Sequence, residues 1–274
     1  MISDSLLSFV DSHCHLNFDA FDRDRGQVVQ KARENGIIRI LNPGIDIETS
    51  KTALKYSFEF PEVYVAIGVH PNSGQSWTLT TLSELKQMAG EQKVVAIGEI
   101  GLDYYRDYAP RELQHSIFRQ QLELAADLGL PVIIHNREAS EEIFDILQNW
   151  HHKLKKNASK LAANPGVMHS YSGPLDMAKA LVALNFKIGI TGPVTFRNSQ
   201  ILQSVVTSMP LKSLLIETDA PYLTPHPFRG KRNEPANVRI VAEKIAELKG
   251  YTVDKVADIT TEVANKLFDW SVIH

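Results

Sequence analysis

Apolar positions along this chain come in short blocks. Eight stand out: "LLSFVDSH", "IIRILNPG", "VYVAIGVHP", "VVAIGEIGLD", "LPVIIHNRE", "PGVMHSYSG", "FKIGITGP" and "SLLIETDAP". Most are rich in Val, Ile and Leu without polar alternation, which is how strands of a parallel sheet buried on both faces read. Between the blocks the apolar period changes. Leu113, Ile117, Leu124 and Leu128 keep helical spacing, and so do Val238, Val241, Ile245 and Leu248. Gly36, Gly129 and Gly250 stand where helices should stop. Strand alternating with helix eight times predicts an α/β fold of the TIM (β/α)8 barrel type, one domain over residues 1–274. A doubly wound open sheet is the alternative, but no Gly-x-Gly-x-x-Gly turn follows the first block. There is no internal repeat. The segment "NWHHKLKKNASKLAANPG" is basic and lengthens the stretch between the fifth and sixth blocks. It reads as a solvated helix end and loop. His151 and His152 are adjacent, so on a helix they diverge by about 100° and cannot share a ligand.

Composition narrows the class. With 274 residues, 43% hydrophobic and 22% charged, the chain has ordinary globular composition and length enough for a large core. Its one cysteine, Cys14, rules out an intramolecular disulfide and suits a reducing cytoplasm. The opening "MISDSLLSFV" lacks a basic start and a long apolar run, so no signal peptide is expected, and no block reaches membrane-spanning length. The formal net charge is -3. Proteins that coat duplex DNA are usually strongly basic, so any nucleic-acid contact here should be local.

The blocks end on chemistry. The first runs into His13 and His15, the third into His70, and the fourth into Glu99 with Asp103 beyond. The fifth ends in His135, the sixth in His169 and the eighth in Glu217 and Asp219. A barrel gathers the C-terminal ends of its strands on one face, where active sites of this fold lie. On an extended strand His13 and His15 would project together, with Cys14 turned the other way. Lone histidines are usually structural, but imidazoles and carboxylates at corresponding strand ends point to bound metal. This donor set suits zinc, manganese, iron or nickel. Six candidate ligands, His13, His15, Glu99, His135, His169 and Asp219, exceed what one catalytic ion needs. Two ions about 3.5–4 Å apart would use them all, with Glu99 as the bridge.

The motifs "DSHCHL", "GVHP", "GEIGLDYY", "PVIIHNREA", "MHSYSG" and "ETDAPYLTP" together resemble the TatD family of metal-dependent deoxyribonucleases, which belong to the amidohydrolase-like metal barrels. The likeness runs through "RGKRNEPANV", nearly the whole chain. It implies that His13, His15 and Asp219 hold one divalent ion and His135 and His169 another, with Glu99 shared. It further implies 3′–5′ exonuclease hydrolysis of DNA with magnesium, manganese or zinc, in the cytoplasm. Tyr171 stands where phenylalanine is common in the family, and the basic segment after Trp150 is longer than usual.

Asp219 is expected to be either a pure ligand or also the group that takes the attacking water's proton. His70 either hydrogen-bonds a phosphate or stabilises its turn. Asp103 either orients a histidine or caps a helix. Glu217 points inward without binding metal, and Cys14 packs as a small apolar residue. Arg229, Lys231 and Arg232 in "PHPFRGKRNEP", with Arg137, form a basic group that either grips phosphate or is simply solvated. Tyr104, Tyr105, Tyr222 and Phe228 could stack on a base or simply pack. Single strands and frayed ends are the expected DNA partners, and no obligatory protein partner is evident. Two rivals remain at this stage: hydrolysis of C–N or ester bonds in a small metabolite, and a metal-stabilised binding partner without catalysis.

Overall fold

A computed structural model describes residues 7–106 and 108–270. Leu6 of the first block, most of the opening segment read against a signal peptide, and both ends of the expected 1–274 domain lie outside the described residues. Each apolar block contains a strand: β1 (Phe9–Asp11), β2 (Ile37–Pro43), β3 (Val63–Ile67), β4 (Val94–Asp103), β5 (Val132–Arg137), β6 (Gly166–Met168), β7 (Lys187–Ile190) and β8 (Leu214–Ile216). All pair in parallel and in sequence order. From β8 the sheet returns to β1 through Ser12 N–H donating to Ile216 O at 3.1 Å, Asp219 N–H to His13 O at 2.8 Å and His15 N–H to Ala220 O at 2.8 Å. The result is a TIM barrel.

Nine α-helices accompany the strands among the described residues: α1 (Arg25–Glu34), α2 (Ile47–Glu59), α3 (Thr81–Met88), α4 (Arg111–Leu128), α5 (Ser140–Lys156), α6 (Leu175–Ala183), α7 (Gln200–Ser208), α8 (Val238–Lys249) and α9 (Val253–Phe268). The helical stripes face the sheet: Ile117 and Leu124 of α4 are buried, as are Val238, Val241 and Ile245 of α8. Gly129 and Gly250 end these two helices in the left-handed region, at φ 69° and 65°. A side chain would be strained there.

Apolar side chains form two cores. The larger lies between strands and helices, and each fully buried Leu, Ile or Phe in it contributes about 1.5–3 kcal/mol. The second fills the barrel with Val10, Leu41, Ala66, Val95, Ala96, Ile133, Val167 and Leu215. Helix α9 closes its lower end with Val263, Leu267 and Phe268. The interior is therefore packed, and chemistry is confined to the opposite mouth. The segment after Trp150 is not simply solvated: α5 buries Trp150, His151 and Leu154, and His151 Nε2 bonds the Ala162 carbonyl at 3.0 Å. His152 is exposed, so the adjacent pair indeed diverges.

Candidate metal centre

The six candidate ligands converge on the mouth. His13 and His15 follow β1 in extended chain, and their Nε2 atoms lie 3.2 Å apart. Cys14 between them turns into the core, fully buried. Glu99, on β4, divides its carboxylate between two groups of imidazoles. Its Oε2 lies 3.3 Å from His13 Nε2 and 3.5 Å from His15 Nε2. Its Oε1 lies 2.8 Å from His135 Nδ1 and 3.6 Å from His70 Nε2. Asp219 Oδ1 stands 3.8, 3.6 and 3.6 Å from the Nε2 atoms of His13, His15 and His169. The rings of His13 and His169 stack with centroids 3.4 Å apart.

Four of the rings are aimed by a hydrogen bond at one nitrogen, whereas the buried Nδ1 of His13 has no partner among the described residues. His15 Nδ1 donates to the Pro43 carbonyl at 3.3 Å, leaving the Nε2 lone pair facing the cluster. His169 Nδ1 donates to Glu217 Oε2 at 2.9 Å, which turns Nε2 toward the cluster. Glu217 is fully buried beneath His169 and accepts from Ser170 N–H at 2.9 Å, so it acts through His169. Gly189 makes room for it, because a Cβ there would stand 2.4 Å from both Glu217 carboxylate oxygens. His135 is reversed: its Nε2 donates to Asp103 Oδ2 at 3.1 Å, so Nδ1 meets Glu99. Asp103 also accepts from the backbone N–H groups of Tyr105 and Arg106 through Oδ1. It thus orients a histidine and ties the following turn, while α4 begins only after Pro110. His70 differs from the others. Its Nδ1 accepts from Asn72 N–H at 3.0 Å and anchors that turn, so its neutral ring carries the proton on Nε2. His70 therefore offers the cavity a donor rather than a lone pair.

Burial sets the charges before any cation enters. It pushes His13 well below the usual histidine value, helped by His169, and pushes His15 to about 4 and His70 to about 3. Burial works to raise Glu99, yet the surrounding imidazoles of His70, His13 and His135 hold its carboxylate well below the usual range. Burial also opposes charge on His169, but Glu217 beside it overcomes this and raises it to about 10. His135 is raised against burial by Asp103 and Glu99. Burial lifts Asp219 to about 7 against the pull of His169. Around His13 and His15 the electron pairs thus outnumber the protons. His15 Nε2, Asp219 and Glu99 are acceptors, and His13 supplies at most one N–H. Such a donor set fits a cation, and three groups bring their ligand atoms within 4.8 Å of one another: His13, His15 and Asp219; His13, Glu99 and His169; and His70, Glu99 and His135. His135 and His169, expected to share an ion, thus fall in different groups.

The cluster floors a cavity of about 920 Å³. His70 and Arg137 line it, as expected, but Arg229, Lys231 and Arg232 do not. Arg232 is engaged elsewhere: its guanidinium meets both Asp24 carboxylate oxygens at 2.8 and 2.7 Å and lies 3.4 Å from Glu234. It pins its loop beside α1. Arg229 lies over the Phe196 ring at 4.5 Å, and Lys231 near Phe228 at 5.8 Å. Tyr104 is also occupied, its hydroxyl 2.6 Å from His115 Nε2 and 2.8 Å from Glu142. Tyr222 does line the cavity. Arg106 and Tyr108 line it too. Sequence reasoning missed both, although "YYRDY" directly after β4 was the available signal. It also missed Asp11, whose carboxylate accepts from Thr218 N–H at 2.9 Å and Thr218 Oγ1 at 2.6 Å, clasping β1 to the segment after β8.

A (β/α)8 barrel with this cluster at its mouth is a metal-dependent hydrolase. The family model described as TatD related DNase matches residues 10–269, and the chain belongs to the TatD family. It is similar to the uncharacterized metal-dependent hydrolase YabD of Bacillus subtilis, at 43% identity over 94% of this chain and 98% of that protein. It is also similar to the 3′–5′ ssDNA/RNA exonuclease TatD of a Rahnella species, at 35% identity over 93% of this chain and 95% of that one. Among solved structures, the TatD homologue YjjV of Escherichia coli superposes with a TM-score of 0.86 at 32% identity, covering 95% of this chain and 98% of that chain.

Proposed function

We propose that this chain hydrolyses phosphodiester bonds in nucleic-acid strands with two divalent ions, removing nucleotides from a 3′ end of DNA. The carrying observation is the division of Glu99, one oxygen toward His13 and His15 and the other toward His135. On this reading His13, His15 and Asp219 hold one ion and His135 and His169 the other, with Glu99 between them. Magnesium, manganese or zinc, when bound, would supply positive charge against the phosphate and activate water. Asp219 is the most exposed carboxylate of the cluster, with 15% of its side chain accessible against 4% for Glu99. On this reading it orients the attacking water and accepts its proton while serving as a ligand. The Nε2–H of His70 is placed to donate to a phosphate oxygen, and Arg137 on the cavity wall to neutralise its charge. The name of the Rahnella relative supports the strand substrate and the polarity. Cys14 as the lone cysteine supports work in the cytoplasm.

The test is degradation of an end-labelled linear single strand against a covalently closed circle of the same sequence, with manganese present. The linear strand should be shortened progressively and the circle left intact. Equal cutting of the circle would contradict exonuclease action, and no cutting of either would contradict the phosphodiesterase reading.

A further inference from the structure

Nine large hydrophobic or aromatic side chains are conspicuously exposed among the described residues, and two of them, Tyr105 and Tyr108, follow β4 directly at the mouth. Tyr105 is 56% and Tyr108 53% exposed. Two arginines hold them. The Arg137 guanidinium lies over the Tyr105 ring, 3.6 Å from its centroid. Arg106 donates from Nη1 to the Tyr108 hydroxyl at 3.1 Å. Neither guanidinium makes an ion pair among the described residues, in contrast to Arg232 with Asp24 and Glu234. Arg106, Tyr108 and Arg137 all line the catalytic cavity. The backbone beneath is fixed as well, because Asp103 accepts from both Tyr105 N–H and Arg106 N–H. The same Asp103 orients His135 at the cluster.

From this we infer that Tyr105, Arg106, Tyr108 and Arg137 form a subsite for the unpaired nucleotides adjoining the scissile phosphate. Bases stack on the two tyrosines and the backbone is neutralised by the two arginines. The inference rests on the strand-hydrolase reading and adds a location and a consequence to it. Aromatic faces accept any base, so the subsite selects single strand over duplex without reading sequence. A paired base keeps its faces covered by its own neighbours and cannot stack on a tyrosine. Ordering each ring against a guanidinium before substrate arrives lowers the entropy lost on binding. The subsite also makes recognition grow with strand length, because a dinucleotide cannot occupy both the cluster and the whole wall.

The experiment measures binding of fluorescein-labelled phosphorothioate single strands, from a dinucleotide up to about a dozen nucleotides, by anisotropy with manganese present. Wild-type affinity should climb with length and then level off. Replacing Tyr105 and Tyr108 together by alanine should cost about tenfold or more on the longest strand, and most of the length dependence with it. Tyr105→Phe should retain the affinity, since a base needs the ring and not the hydroxyl. Replacing Arg106 and Arg137 by glutamine should flatten the log–log salt dependence by about 1.4, for two lost phosphate contacts on single strand. Variants that bind long strands as tightly as wild type, or a wild type with no length dependence, would overturn the subsite. Hydrolysis of the unmodified longest strand is scored separately. If wild type fails to cut it while length-dependent, tyrosine-dependent binding persists, the subsite stands and the phosphodiesterase reading falls.

Discussion

On the two-ion reading the chemistry turns on Glu99, whose two oxygens face different imidazoles, His13 and His15 on one side and His135 on the other. Glu99→Gln keeps the shape but loses the negative charge and replaces one oxygen with an NH2 group that cannot ligate. The variant should fold normally, hold fewer divalent ions, and lose at least about 100-fold in kcat, the scale on which a single positioned electrostatic group acts. Metal analysis beside single-turnover kinetics checks this, and retained activity with a full complement of metal would show that Glu99 is not a bridge. His169 makes the second claim at this scale. In the cation-free protein Glu217 raises it to about 10 against the effect of burial, so it is protonated at neutral pH. An ion needs its neutral ring, so binding must expel that proton and affinity must rise with pH up to about 10. His135, raised against burial by Asp103 and Glu99, holds a proton against the ion as well, whereas His15, lowered by burial to about 4, competes only in acid. Calorimetric titration with manganese in buffers of different ionisation enthalpy should show net proton release at pH 7–8. Affinity unchanged between pH 6 and 9 would count against His169 as a ligand.

The strands deliver these residues to one mouth, and the join between β1 and β8 is the element-level device that does so. Asp11 accepts from Thr218 and holds the segment carrying Asp219 against the segment carrying His13 and His15. Burial raises the Asp11 carboxyl to about 8, against the pull of its hydrogen bonds from Thr218 and His13. A folded value above the unfolded one means its contribution is complete below about pH 4 and is lost as pH rises to about 8. Asp11→Asn keeps the accepting oxygen without the titration. The difference in Tm, variant minus wild type, should therefore grow more positive from pH 4 to 8, and a difference that stays flat or falls would contradict this. Much at this scale was legible in sequence. Eight Val- and Ile-rich blocks became eight strands because both faces of a barrel strand are buried, and the residues closing those blocks became the cluster. What stayed hidden depends on partners distant in sequence. Arg232 reads as a free cation until the fold brings Asp24 to it, 208 residues away. His151 reads as solvated until the Ala162 carbonyl is seen to close over it. The role of Gly189, space for the Glu217 carboxylate, belongs to no pattern along the chain.

Over the whole molecule, a chain of net charge -3 is not built to coat nucleic acid. Two guanidiniums without an ion pair among the described residues, Arg106 and Arg137, stand on the wall of the cavity that contains the ligand cluster, while Arg232 is held in an ion pair with Asp24. On the strand-hydrolase reading, substrate attraction is local, and a chain end enters a pocket that a stiff duplex cannot. The central claim is that this pocket works only when two ions occupy the cluster around Glu99. Its most direct measurement is a manganese titration of exhaustively chelated protein, followed by bound metal and by shortening of an end-labelled single strand. The account predicts no cleavage at the start, recovery as ions bind, and full activity only when two ions per chain are held. Full activity in the metal-free protein, or complete recovery at one ion per chain, would contradict it.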